Sequence, residues 1–124
     1  MSNIEQNLGE LVCLFARGAK TYQSYLNNEK TFLYAKILKD NNERIRSILL
    51  KLTSKVPEEM FVCCIDLIHH IDVWMELWLD LSERLDLKLD EPFVFQNKVN
   101  YPVEAEKKLT ALYEELKENG KAEC

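Results

Sequence analysis

Residues 60–85 read MFVCCIDLIHHIDVWMELWLDLSERL, and the period of this stretch decides the fold class. At 100° per residue, Met60, Cys64, Leu67, Ile68, Ile71, Trp74, Met75, Trp78, Leu81 and Leu85 share one face, while His69, Asp72, Glu76, Asp80 and Glu83 fall on the opposite stripe. A strand would need strict alternation, which is absent. Pro57 suits the first turn of this helix, and Glu58 and Glu59 sit near its positive end. The spacing predicts a helix over about 57–87. Its apolar arc spans about half the circumference, wider than a surface helix needs. The helix is therefore either the central element of a bundle or also part of a subunit interface.

Working towards the N-terminus, Thr31, Ala35, Leu38, Asn42, Ile45, Leu49, Leu52 and Val56 step by four and three in turn. This heptad seam predicts a helix over about 29–55 with Asn42 in the seam, where a buried Asn can fix pairing or register. Asn27-Asn28 offers the preceding turn and an N-cap. Before it, Ile4, Leu8, Leu11, Phe15, Ala19, Tyr22 and Leu26 form one stripe of a helix over about 3–26. Gly18 lies inside that helix, at a cost of ~1 kcal/mol relative to Ala, which is either tolerated or needed for a neighbouring helix to come close.

Towards the C-terminus, residues 87–100 have no helical period and contain Asp90-Glu91-Pro92-Phe93-Val94-Phe95. This connection is long for two helices. A last helix over about 102–119 carries Ala105, Leu109, Leu112, Tyr113 and Leu116 on one face, with Asn119-Gly120 as its stop. The reading is all-α: one domain over residues 1–124, a four-helix bundle, antiparallel, with a long loop before the last helix.

Composition supports this reading. The 124 residues are 47% apolar and 30% charged, with three glycines and three prolines, too little turn material for many short strands. No ~20-residue apolar run exists to span a membrane, and the first residues lack the pattern of a secretory signal. The four cysteines form no Cys-x-x-Cys pair and read as free thiols of a cytoplasmic protein. Residues 1–56 carry nine basic and five acidic side chains, net +4, and residues 57–124 carry seven and sixteen, net −9. These halves are placed to complement one another within a molecule or between two copies. The basic residues of the second helix are spread around it without interleaved aromatics, which disfavours nucleic acid as a partner.

The chemistry-bearing residues are few. His70 stands four residues from Asp66, and His69 three from Asp72 and seven from Glu76, spacings that allow side chains to meet. A metal set drawn from Asp66, His69, His70 and Glu76 is one reading. However, adjacent histidines point about 100° apart, and the Glu-x-x-His pairs of carboxylate-bridged bundles are missing. A phosphohistidine at His69 would face Asp66, Asp72 and Glu76. Cys63 and Cys64 sit in apolar surroundings that suit inert thiols. No serine triad, dinucleotide fingerprint or phosphate loop is present. No catalytic residue and no cofactor is expected.

The remaining candidates are apolar. Trp74, Met75 and Trp78 form an aromatic centre that fits either a core or an interface anchor. Phe93 and Phe95, with Val94, must dock either on the bundle or on a partner. The expectation is a small non-enzymatic protein acting through protein–protein interaction as an adaptor, regulator or inhibitor. It is expected to self-associate, as a homodimer, through Trp74, Met75, Trp78, Phe93 and Phe95. The alternative is a metal- or small-ligand-binding bundle centred on His69 and His70.

Overall fold

The computed structural model describes residues 2–123, and the side chains of residues 4–120. It contains four helices, α1 (Ser2–Asn27), α2 (Phe32–Leu52), α3 (Glu58–Arg84) and α4 (Val103–Glu123), with the long connection 85–102 before the last. The fold is the all-α four-helix arrangement that the periodicity predicts. Each helix packs only on its neighbours in chain order, and α4 closes back onto α1. All four pairs are antiparallel: Asn41 meets Leu14, Trp78 meets Ala35, Lys108 pairs with Glu59, and Gly120 lies against Glu5.

The two ends of the bundle are filled differently. At one end all four helices contribute: Leu8, Leu11 and Phe15 from α1, Ile45, Leu49 and Leu52 from α2, Cys64, Leu67 and Ile71 from α3, and Ala105 and Leu109 from α4. Burying each large apolar side chain there stabilises the fold by roughly 1.5–3 kcal/mol. At the other end α4 is absent. A second core of Ala35, Trp78 and Phe93, flanked by Phe32 and Trp74, uses the 85–102 connection in its place.

The helix limits differ from the sequence expectation at four points. The second helix begins at Phe32, not at residue 29, because Glu29 and Lys30 adopt left-handed backbone, φ 63° and 55°. Lys30 N–H donates to Tyr25 O at 2.8 Å, closing α1 in a Schellman-type turn. The first amides of α2 are not capped by the Thr31 side chain. Phe32 N–H donates to Glu91 O and Leu33 N–H to Leu89 O, so the long connection satisfies them. At their other ends α2 stops at Leu52 and α3 at Arg84, each about three residues early. Gly120 does not stop α4, which runs through it to Glu123.

The buried polar residue of α2 is Asn41, 1% exposed, and not Asn42, which is half-exposed. The close approach that Gly18 permits is real: a Cβ there would lie 2.7 Å from Asn41 Nδ2. Arg46–Asp72 is the one ion pair, among the described residues, that links the basic first half to the acidic second half. Its partners are too exposed for it to contribute much.

Left-handed backbone at a residue with a Cβ costs about 1–2 kcal/mol. Glu29 is exposed, so Glu29→Gly should relieve strain at little other loss. After the entropy cost of glycine, a gain of about 0.5–1 kcal/mol is expected by thermal or urea unfolding. An unchanged or lower midpoint would show that the turn is not strained.

Candidate functional site

The site begins with two prolines. Pro92 cannot continue a helix, and Tyr101, preceding Pro102, is driven towards extended backbone. Between them the chain runs as a strap along α3. Phe93 is the first anchor, 1% exposed, with ring centroids 5.0 Å from Trp78 and 5.1 Å from Phe32. Its N–H donates to Lys30 O at 2.9 Å and its carbonyl accepts from the Tyr25 hydroxyl. Trp78 is fixed in turn by its own N–H, which donates to Ala35 O at 3.1 Å. Phe95 then packs on Trp74, centroids 5.7 Å apart.

His70 is the second anchor. Its Nδ1 lies 3.1 Å from Val99 O, and a carbonyl only accepts, so Nδ1 carries the proton. The Asn97 amide therefore donates to His70 O, at 3.3 Å, and its Oδ1 accepts from Val99 N–H. Tyr101 closes on the imidazole edge-on, at 5.1 Å, and its hydroxyl donates to Glu106. Burial, followed by the hydrogen bond to Glu106, pushes the Tyr101 hydroxyl pKa far up.

A strap is thinner than a helix, and beside it the slot of a fourth helix stays partly open. The result is a cleft of about 600 Å³, within the ~300–1,000 Å³ range of ligand sites. Phe15, Gly18, Ala19 and Tyr22 of α1 form one wall, and Val94, Phe95 and Asn97 of the strap the other. Trp74 and His70 of α3 and Ala35, Leu38 and Ile45 of α2 form the floor. Lys30 and Glu106 also line it, and so do both tryptophans of the chain. The stripe of α1 explains the opening. Its first half, Leu8, Leu11 and Phe15, is buried, whereas Tyr22 and Leu26 on the same stripe are 52% and 40% exposed.

The predicted site residues separate into groups. Trp78 and Phe93 are core, and Met75 packs on the four-helix core. Trp74 and Phe95 are half-buried and line the cleft. Asp66, His69 and Glu76 are exposed, while His70 is turned inward to the strap. Among the described residues, no three His, Cys, Asp or Glu side chains are grouped to hold a metal ion. Cys13, Cys63 and Cys64 are free thiols, and Cys124 lies outside the described residues. Burial, helped by the neighbouring Cys63, pushes the Cys64 thiol up to about 11. Burial also raises Cys63. Both are thus poor nucleophiles. Ala19, Tyr22, Tyr25 and Asn97 are members of the site that the sequence reading did not single out. Among the described residues, no helix is long and apolar enough to cross a membrane.

His70 makes the strap sensitive to acid. Burial holds its pKa below the ordinary 6.5, against the hydrogen bond to Val99. The unfolded chain therefore takes up the proton first, so this contribution is complete above pH 6.5 and is lost as pH falls below it. Asp40, held below the usual carboxylate range by the Arg17 guanidinium, titrates further down. The midpoint of unfolding should fall between pH 7.5 and 5, and His70→Gln should flatten that decline. An equal decline in the variant would place its cause elsewhere.

The chain matches no protein-family profile, no characterised protein and no solved structure.

Proposed function

We propose that this protein is a non-enzymatic binding protein that acts through protein–protein interaction, seating an apolar segment of its partner in the cleft beside α1. The observation that carries this reading is the α1 stripe, which continues as Ala19, Tyr22 and Leu26 beyond the reach of α4. Apolar surface at helical spacing, continuous with a packed interface and uncovered, marks a docking face. The polar groups around the cleft already serve its walls: Tyr25 holds Phe93, His70 holds Val99, and Asn41 holds α1. The cleft is thus preorganised for burial of apolar surface and offers no activated nucleophile.

Both tryptophans line the cleft, so their emission reports occupancy. Titration with apolar peptides, helical and extended, should give a saturable blue shift. Tyr22→Glu, at an exposed position, should abolish the shift while leaving the unfolding free energy within about half a kcal/mol of wild type. A second copy of the chain is a partner of the same kind, recognised if sedimentation shows a dimer that Tyr22→Glu splits. The reading fails if no peptide of either shape shifts the emission and any self-association ignores Tyr22→Glu.

A further inference from the structure

The strap that forms one wall of the cleft has the burial pattern of a β-strand. From Phe93 to Asn100 the side chains alternate: Phe93, Phe95, Asn97 and Val99 point inward, and Val94, Gln96, Lys98 and Asn100 are exposed. Its ends are tied, by Phe93 to Lys30 and Tyr25 and by Val99 to His70. Between those ties, the backbone N–H and C=O groups of Val94 to Lys98 have no protein partner among the described residues. An extended chain rises about 3.3 Å per residue. This open edge therefore runs for about 15–20 Å beside the apolar wall of α1.

Without protein partners, these backbone groups are left to solvent. An occupant that buries Phe15, Ala19 and Tyr22 also takes water away from the strap edge that faces it, and the backbone groups on that edge, those of alternate residues, then need new partners. A helix cannot supply them, because its own N–H and C=O groups are used internally. An extended peptide can, and its alternate side chains then enter the apolar cleft. We infer that the partner segment binds as an extended peptide, pairing its main chain with residues 94–98 and inserting alternate apolar side chains against Phe15, Ala19 and Tyr22. This inference rests on the proposed function above and specifies the partner's conformation.

The test uses the full-length protein and three kinds of probe. One is a capped heptapeptide alternating threonine and valine. The second is the same peptide N-methylated at alternate residues, in each of the two phases. The third is a fourteen-residue amphipathic helical peptide. Tryptophan emission gives affinity, and amide hydrogen exchange of residues 94–98 gives the main-chain pairing. The heptapeptide should bind, slow exchange at alternate amides of the strap, and lose affinity about tenfold when N-methylated in one phase but not in the other. The inference is overturned, with the proposed function intact, if the helical peptide alone binds in a Tyr22-dependent way. It is likewise overturned if neither phase of N-methylation weakens the heptapeptide. Both fall together if no probe binds.

Discussion

Phe93→Ala is expected to lower stability by about 3–5 kcal/mol, the range for truncating a buried aromatic. The midpoint of thermal unfolding should drop by roughly 10–20 °C for a chain of this size. Phe93 is 1% exposed and stands where a fourth helix would otherwise close the bundle, in contact with Phe32, Trp78 and Phe95. Nothing else nearby can fill its volume, since Trp78 is tethered to Ala35 O and Phe95 to the face of Trp74. The loss should also be local before it is global. The four-helix core around Leu49 and Leu67 does not include Phe93. Tryptophan emission should therefore shift red at denaturant concentrations where far-UV circular dichroism is still native. Val94→Ala, at an exposed neighbour, should change stability by no more than about 0.5 kcal/mol. A loss under about 1 kcal/mol for Phe93→Ala would mean that the strap is not anchored and that the cleft has no fixed second wall.

The helices were legible because periodicity reports which face each one turns inward. The arc of α3 is an example: Cys64, Leu67, Ile68, Ile71 and Trp78 are all buried. The heptad seam of α2 predicts a narrow buried line through Asn42, but α2 packs against both α1 and α3. Its buried arc is correspondingly wider and takes in Ile48 and Asn41. Glu29 and Lys30 show a second limit. Neither residue favours left-handed backbone, and the turn is held by bonds to Tyr25 and Phe93, one of which comes from more than sixty residues away. No local propensity carries that information.

The cleft was hidden for a related reason. The α1 stripe is uniform from Ile4 to Leu26, and a uniform stripe predicts uniform burial. Whether Tyr22 is covered depends on how far α4 extends along α1. That is set by the strap between Pro92 and Pro102, an aperiodic segment. The sequence leaves two fates open for Phe93 and Phe95, the bundle or a partner, and both pack on the bundle, to different depths. Phe93 is sealed in the core, while Phe95 is left on the wall of the open slot. Helical spacing places His70 four residues from Asp66 along α3. Its contacts, Val99, Asn97 and Tyr101, come from the strap, and helical spacing carries no trace of them.

Gly18→Ala is expected to destabilise, against the usual sign. In an ordinary helix interior, alanine is better than glycine by about 1 kcal/mol. Here the added Cβ would sit 2.7 Å from Asn41 Nδ2. That amide donates to Leu14 O at 3.0 Å and its oxygen accepts from Arg17 at 3.3 Å, and with 1% exposure it cannot retreat into water. Either the bond to Leu14 breaks inside the protein or α1 moves off α2, and each costs about 1–3 kcal/mol. Asn41→Ala alone should cost about 1–2 kcal/mol, because Leu14 O keeps its bond within the α1 ladder. In the double variant the clash is gone and the helix propensity of alanine remains. Gly18→Ala should then become neutral or stabilising on the Asn41→Ala background, a coupling of about 1–3 kcal/mol in a double-mutant cycle. Additive effects would show that the two residues do not meet. Ala19 and Tyr22 follow Gly18 on α1, so this contact also sets the position of the cleft's outer wall. Gly18→Ala should therefore weaken peptide binding by more than its loss of stability predicts, and Asn41→Ala should restore it.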